Sequence, residues 1–234
     1  MTETVVLIDQ TNTIDPHELA DTAQALSDAM QNEFADEYHV DVLVRIGTEA
    51  KTPSEYPLYL VNAAQLPTFP SGALGFHDDT EDLYVALDYC QRGGVSWSPC
   101  ADHEIKEWAF DRSAILMAQR PYDGVIVALE VSDPVEQDTY FKEVNGRRVE
   151  LSNWVTEGWF SGRGTRFDYL GKCSAAGLLT PGGYVSVFDP QVGWKQQQSE
   201  KGMSVYRKLM ADHSRHAKRV ARHDAYLRTR GSPG

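Results

Sequence analysis

Apolar positions recur along this chain with two periods, and each period predicts a set of elements. Thr4 to Asp9 holds an unbroken aliphatic run, V-V-L-I, which predicts a buried strand. Asp15-Pro16 then has the residue types of a helix N-cap and first turn. From Pro16 to about Glu37 the apolar residues Leu19, Ala23, Leu26, Met30 and Phe34 recur at intervals of three and four, the stripe of a helix that packs on a sheet. Strands are predicted at His39 to Ile46, Pro57 to Val61 and Leu83 to Leu87, with loop-like sequence over 63–82. Ser98-Pro99 repeats the cap signal and opens a helical pattern from Pro99 to about Ala118. Gly124 to Val131 predicts another strand, and Thr139 to Leu151 a hairpin turning at Asn145-Gly146. A last strand is expected at Tyr184 to Phe188, after the T-P-G-G turn at 180–183. Strands on both sides of helices make an α/β or α+β layered domain over residues 1–194. Beyond Trp194 the composition shifts to Gln, Lys, Arg and His, with Met203, Tyr206, Met210, Ala217 and Val220 near helical spacing. Residues 195–234 are therefore expected to form a basic helical arm.

Charge sharpens that division. The chain has 22 Lys and Arg against 34 Asp and Glu. Ten of the bases but three of the acids fall in residues 195–234, leaving 12 and 31 in the first 194. An acidic body argues against nucleic-acid binding by the main domain and suits either a soluble surface or cation binding. Cys90, Cys100 and Cys173 are odd in number and lack C-x-x-C spacing, so neither a disulfide framework nor a thiolate zinc site is expected. The first residues lack a basic region followed by an apolar run, and no stretch of 18 apolar residues occurs. Neither a secretion signal nor a membrane span is expected.

The candidate chemistry lies in D-H-E-I-K-E-W-A-F-D, residues 102–111. At about 100° per residue, His103, Glu107, Asp111 and Glu104 fall near 0°, 40°, 80° and 100° of a helix, a compact polar arc. Ile105, Trp108, Ala109, Ile115 and Leu116 fall on the apolar side. One reading of the arc is a solvated face; the other is a metal site, H-E-x-x-E in place of the H-E-x-x-H of zinc proteases. A carboxylate at the fifth position reaches zinc as well as an imidazole does, but leaves the ion less positive and its water less acidified. One His is too few, so further ligands must come from elsewhere. The sequence offers Glu130, Asp133 and Glu136 in E-V-S-D-P-V-E, and His77-Asp78-Asp79 in G-F-H-D-D, each of which also suits surface charge or loop capping. Trp154 and Trp159 in S-N-W-V-T-E-G-W-F have two readings too, a substrate groove or core.

Six stretches, A-L-G-F-H-D (73–78), H-E-I-K-E-W-A-F-D (103–111), E-V-S-D-P-V-E (130–136), S-N-W-V with W-F (152–160), F-D-Y-L-G-K (167–172) and T-P-G-G-Y (180–184), together resemble a family of phage and prophage-associated zincin-like proteins. The resemblance covers roughly residues 4–190. It implies a metallopeptidase-like fold: a twisted mixed sheet, a backing helix and an active-site helix carrying the H-E-x-x-E. It also implies zinc or another divalent metal on His103, Glu107 and one carboxylate from Asp111, Glu130 or Asp133, with Glu104 as general base; the residues themselves add His77 and Asp78 as a separate candidate site. Two departures stand out. Ser132 occupies a place where Cys is frequent, and Lys106 and Trp108 stand where aliphatic residues are usual.

Two function classes follow. The first is metal-dependent peptide hydrolysis. The second is a virion or assembly protein (capsid, neck or tail accessory) that docks on other virion proteins through the arm cations Arg207, Lys208, Arg215, Lys218, Arg219 and Arg222. Nucleic-acid binding by S-R-H-A-K-R-V-A-R (214–222) ranks below both, because no aromatic stacking platform accompanies it. The expected location is the host cytoplasm during assembly, and the virion.

Overall fold

The computed structural model describes residues 2–199 apart from 68, 71, 72, 78, 79 and 192. In chain order its elements are β1 (Glu3–Asp9), α1 (Pro16–Ala29), a π-helical stretch (Met30–Phe34), α2 (Ala35–Tyr38), β2 (Val42–Ile46), β3 (Glu55–Val61), a 3-10 turn (Ala63–Gln65), β4 (Gly75–His77) and β5 (Leu83–Ala86). There follow α3 (Leu87–Gly93), α4 (Trp97–Phe110), β6 (Met117–Gln119), β7 (Ile126–Ala128), a 3-10 turn (Asp133–Val135), β8 (Thr139–Val144), β9 (Arg147–Ser152), α5 (Glu157–Ser161), β10 (Tyr184–Asp189) and β11 (Gly193–Gln198).

The fold is α+β, built on a mixed five-stranded sheet in the order β2-β1-β3-β5-β4. The first four strands run parallel and the edge strand β4 antiparallel to β5. A second, antiparallel sheet has the order β11-β10-β7-β6, and β8-β9 form a separate hairpin. As an interior strand of the sheet, β1 buries both faces, which is why V-V-L-I shows no alternation: Val5 to Ile8 are all buried. The register places Val5, Leu7, Val44, Leu58, Leu60, Leu83 and Val85 at alternate positions of neighbouring strands, on one face. That face shares a single core with Leu19, Leu26, Met30 and Phe34 of the first helical stretch and Ala101, Ile105 and Trp108 of α4. Both helices therefore lie against the same side of the sheet.

Local signals act as expected at several places. The Asp15 side chain accepts from the backbone N–H groups of His17 and Glu18 at 2.9 and 3.0 Å, and Pro16 opens α1. Asn145 and Gly146 both take positive φ, 51° and 79°, the requirement of a two-residue type I′ turn. Among the described residues no helix is long and apolar enough to cross a membrane.

Three expectations are corrected. The second helix starts two residues before Pro99, with Ser96 as its cap, and ends at Phe110 rather than near Ala118. The Asp111 carboxylate stops it by accepting from the N–H groups of Ile115 and Leu116 at 3.1 and 2.8 Å, which turns the chain into β6. Ile115 and Leu116 are consequently about half exposed (51% and 47%) instead of facing the core. The stretch 63–82 is not all loop, since Gly75–His77 pair with Leu83–Val85; three residues are too few for a period to show. Lastly, β11 crosses the expected boundary at Trp194 and carries Lys195 to Gln198 as strand. The rest of the arm, including Arg207, Lys208, Arg215, Lys218, Arg219 and Arg222, lies outside the described residues.

Candidate metal centre

The polar arc of α4 is buried rather than solvated. His103 is 9%, Glu104 3% and Glu107 0% exposed. His103 Nε2 faces Glu107 Oε1 at 3.1 Å, one helical turn on, and Asp133 Oδ1 at 3.3 Å. Asp133 opens the 3-10 turn that follows β7, and its Oδ1, buried, accepts no hydrogen bond among the described residues. The ligating atoms of His103, Glu107 and Asp133 lie within 4.8 Å of one another, so the three could hold a metal ion. A buried carboxylate oxygen facing an imidazole nitrogen without a hydrogen bond is the arrangement that a cation between them would satisfy.

A second group shares Glu107. His77, at the end of edge strand β4, Glu104 and Glu107 also bring ligating atoms within 4.8 Å of one another. His77 Nδ1 lies 3.4 Å from Glu104 Oε2, and its Nε2 lies 3.2 Å from the backbone oxygen of Asp111. Both partners are acceptors: Nε2–H donates to the Asp111 carbonyl, and Nδ1 meets the Glu104 carboxylate either through a second ring proton or through a cation held between them. Glu104 has room here because residue 75 is glycine: a Cβ there would lie 2.8 Å from Glu104 Cγ and 2.9 Å from Oε1.

A cavity of about 350 Å³ opens over the site, lined by His103, Glu104, Glu130, Asp133, Glu136 and Tyr184 among others. Burial, with the Asp133, Glu136 and Glu130 carboxylates nearby, pushes the ionisation of Tyr184 well above the usual tyrosine range. Its hydroxyl is held neutral at the cavity wall.

Of the residues singled out in the sequence, His103, Glu107 and Asp133 come together, and His77 joins Glu104 and Glu107. Glu130 lines the cavity but belongs to neither three-residue group. Asp111 is not placed as a ligand: its carboxylate is spent on the turn after α4, and its carbonyl holds His77. Asp78 lies outside the described residues. Trp154 and Trp159 are core, 1% and 0% exposed. Tyr184 and Gly75 were missed as site residues. The signal for each was its stretch, T-P-G-G-Y and A-L-G-F-H-D, in which both residues read as turn or loop.

The remaining quoted stretches hold the Asp133 loop in place. The Val155 N–H donates to Val131 O at 2.7 Å, and the Thr180 N–H to Pro134 O at 3.1 Å. Asn153 Nδ2 donates to Asp168 Oδ2 at 2.8 Å, and the Trp154 ring stacks on Tyr169 with centroids 3.9 Å apart. Gly183 packs so closely that a Cβ would lie 2.0 Å from Pro134 O. Gly183→Ala is therefore expected to push the Pro134 backbone, and Asp133 with it, away from His103. Calorimetric titration with Zn²⁺ should show at least tenfold weaker binding, by analogy with the loss of a supporting contact to a ligand.

Lys106 and Trp108, the departures on α4, are also explained. Both are 0% exposed. Lys106 Nζ donates to Asp102 Oδ2 at 2.5 Å and Ser152 O at 2.7 Å, and sits 4.1 Å from the centre of the Trp154 ring. Asp102 Oδ2 accepts in turn from the Ser152 N–H at 2.8 Å. This pair fastens α4 to the end of β9.

Fold and site thus define an α+β domain with a buried imidazole–carboxylate centre under an open cavity. Comparison with known proteins finds no matching family model, no matching curated protein and no matching solved structure.

Proposed function

We propose that this domain is a divalent-metal-dependent hydrolase of the zincin-like kind acting on peptide bonds, with His103, Glu107 and Asp133 as ligands of zinc or another divalent ion. The observation that carries the proposal is a three-residue ligand group at the floor of an open cavity. Structural zinc sites are closed by four protein ligands, whereas three ligands beneath a cavity leave a position for water and substrate. That open position favours turnover over the other reading, a virion or assembly protein that keeps such a scaffold without catalysis and docks through its basic arm.

A divalent ion held there supplies Lewis acidity toward a carbonyl oxygen and an acidified water. The chain's own residues do the rest. Glu104, on the cavity wall beside His103, accepts the proton of the attacking water on a carboxylate oxygen as the new C–O bond forms. It returns that proton to the amide nitrogen as the C–N bond breaks, so the carboxylate is regenerated and an acid and an amine leave. Tyr184, held neutral beside the Asp133 carboxylate, closes one side of the cavity.

Glu104→Gln removes the proton acceptor and keeps the shape. Peptidase activity of the metal-loaded protein on a mixed peptide library should fall by roughly 10²–10⁴-fold, the range of general acid–base contributions, with metal on His103 and Asp133 retained. Equal activity in both proteins would sink the catalytic assignment. Metal retention without activity in the wild type would favour the assembly reading.

A further inference from the structure

We propose that the centre holds two divalent cations, an outer one on His103 and Asp133 and an inner one on His77 and Glu104, with the Glu107 carboxylate bridging them. The inference rests on the proposed outer site and adds a second site with its own ligands.

Three observations converge. The two three-residue groups have one member in common, Glu107. Helix geometry makes it the only one of the three arc ligands able to serve both: on the wheel it falls at about 40°, between His103 at 0° and Glu104 at about 100°. A fully buried carboxylate with two oxygens, placed between two clusters of nitrogen and oxygen donors, has the form of a bridge in two-metal sites, where the ions stand about 3.5–4 Å apart.

The second observation is the orientation of His77. Its Nε2–H donates to the Asp111 carbonyl at 3.2 Å, and its Nδ1 lies 3.4 Å from Glu104 Oε2, close enough for both atoms to ligate one ion. Metal-bound histidines are commonly held this way, with one ring nitrogen tied to a carbonyl and the other available to the ion. His77 sits 2% exposed on β4, the antiparallel edge strand of the sheet, and that strand brings it against α4.

The third is charge. Glu104, Glu107, Glu130 and Asp133 are all buried, at 3%, 0%, 2% and 2% exposure. Four carboxylates carry the charge that two divalent cations match. The ligand set, two imidazoles and carboxylate oxygens with no thiolate, suits Mn²⁺, Fe²⁺ or Zn²⁺.

In this arrangement the two oxygens of Glu104 divide their work. Oε2 faces His77 and is the ligand oxygen, while Oε1, beside Gly75 on the cavity wall, remains the proton acceptor.

The test is a titration of the metal-free full chain with Mn²⁺, read by calorimetry and electron paramagnetic resonance. The wild type should bind two Mn²⁺ per chain and, when full, give the exchange-coupled spectrum of a bridged pair. His77→Ala should bind one Mn²⁺ with an uncoupled six-line signal. Gly75→Ala, which displaces Glu104 while leaving every ligand residue in place, should weaken the inner site at least tenfold and leave the outer one unchanged. One Mn²⁺ per chain in the wild type, lost in His103→Ala and unaffected by His77→Ala, would overturn the second site and leave the outer site standing. Two uncoupled ions would overturn the bridge. No binding at all would overturn this inference and the proposed function together.

Discussion

Asp102→Ala should cost about 3–5 kcal/mol of folding stability, the usual penalty for leaving one partner of a buried ion pair behind. Lys106 has no exposed surface, and Asp102 is its only carboxylate within ion-pair distance among the described residues. The remaining contacts, the Ser152 oxygen and the face of Trp154, do not neutralise it. The same substitution strands the Ser152 N–H. Burial already holds the Lys106 ammonium below the ordinary lysine value of 10.5, against the opposing pull of Asp102. Without Asp102 that depression deepens, so over the interval up to 10.5 the unfolded variant binds a proton that the folded variant does not. Stability of the variant should therefore rise with pH across that interval, and more steeply than in the wild type. Urea unfolding at a series of pH values measures both effects. Asp102→Asn combined with Lys106→Met removes both charges and keeps an acceptor for Ser152, and should return to within about 1–2 kcal/mol of the wild type. A loss below about 1 kcal/mol in Asp102→Ala would mean that the pair does not fasten α4 to β9.

Glu107→Ala should abolish the stabilisation of the fold by divalent metal. An ion that binds only the folded chain stabilises it by about 4 kcal/mol at a thousand times its dissociation constant. Glu107 is the one residue common to both ligand groups, so its loss should leave melting temperatures in excess Zn²⁺ and in chelator equal. His103→Ala and His77→Ala should each keep part of the difference. Scanning calorimetry of the three variants, with and without metal, gives the comparison. A full metal-induced shift in Glu107→Ala would remove Glu107 from the centre.

The sequence was informative wherever one local signal decided the outcome. V-V-L-I read as a buried strand, Asp15-Pro16 as the start of a helix, and Asn145-Gly146 matched its turn residue for residue. The arc on α4 was legible as a polar face, but its burial was not. That depends on β4 and on the loop bearing Asp133, which approach from 27 residues before Glu104 and 30 after His103 in sequence. His77 was visible only as one acidic-loop histidine, because a three-residue edge strand has no period. Asp111 was misplaced for a related reason: the wheel assumed that the helix continues, whereas this carboxylate ends it. Lys106 looked out of place on an apolar helix until Asp102, one turn earlier, and the Ser152 carbonyl were seen to enclose it.

The central claim is that His103, Glu107 and Asp133 hold a divalent metal. The most direct test is metal content by mass spectrometry, on wild-type protein and His103→Ala incubated with excess Zn²⁺ and then desalted. At least one ion per chain in the wild type, with the outer ion missing from a folded His103→Ala, is the predicted result. Folded wild-type protein that retains no metal, or a His103→Ala variant that retains as much as the wild type, would contradict it.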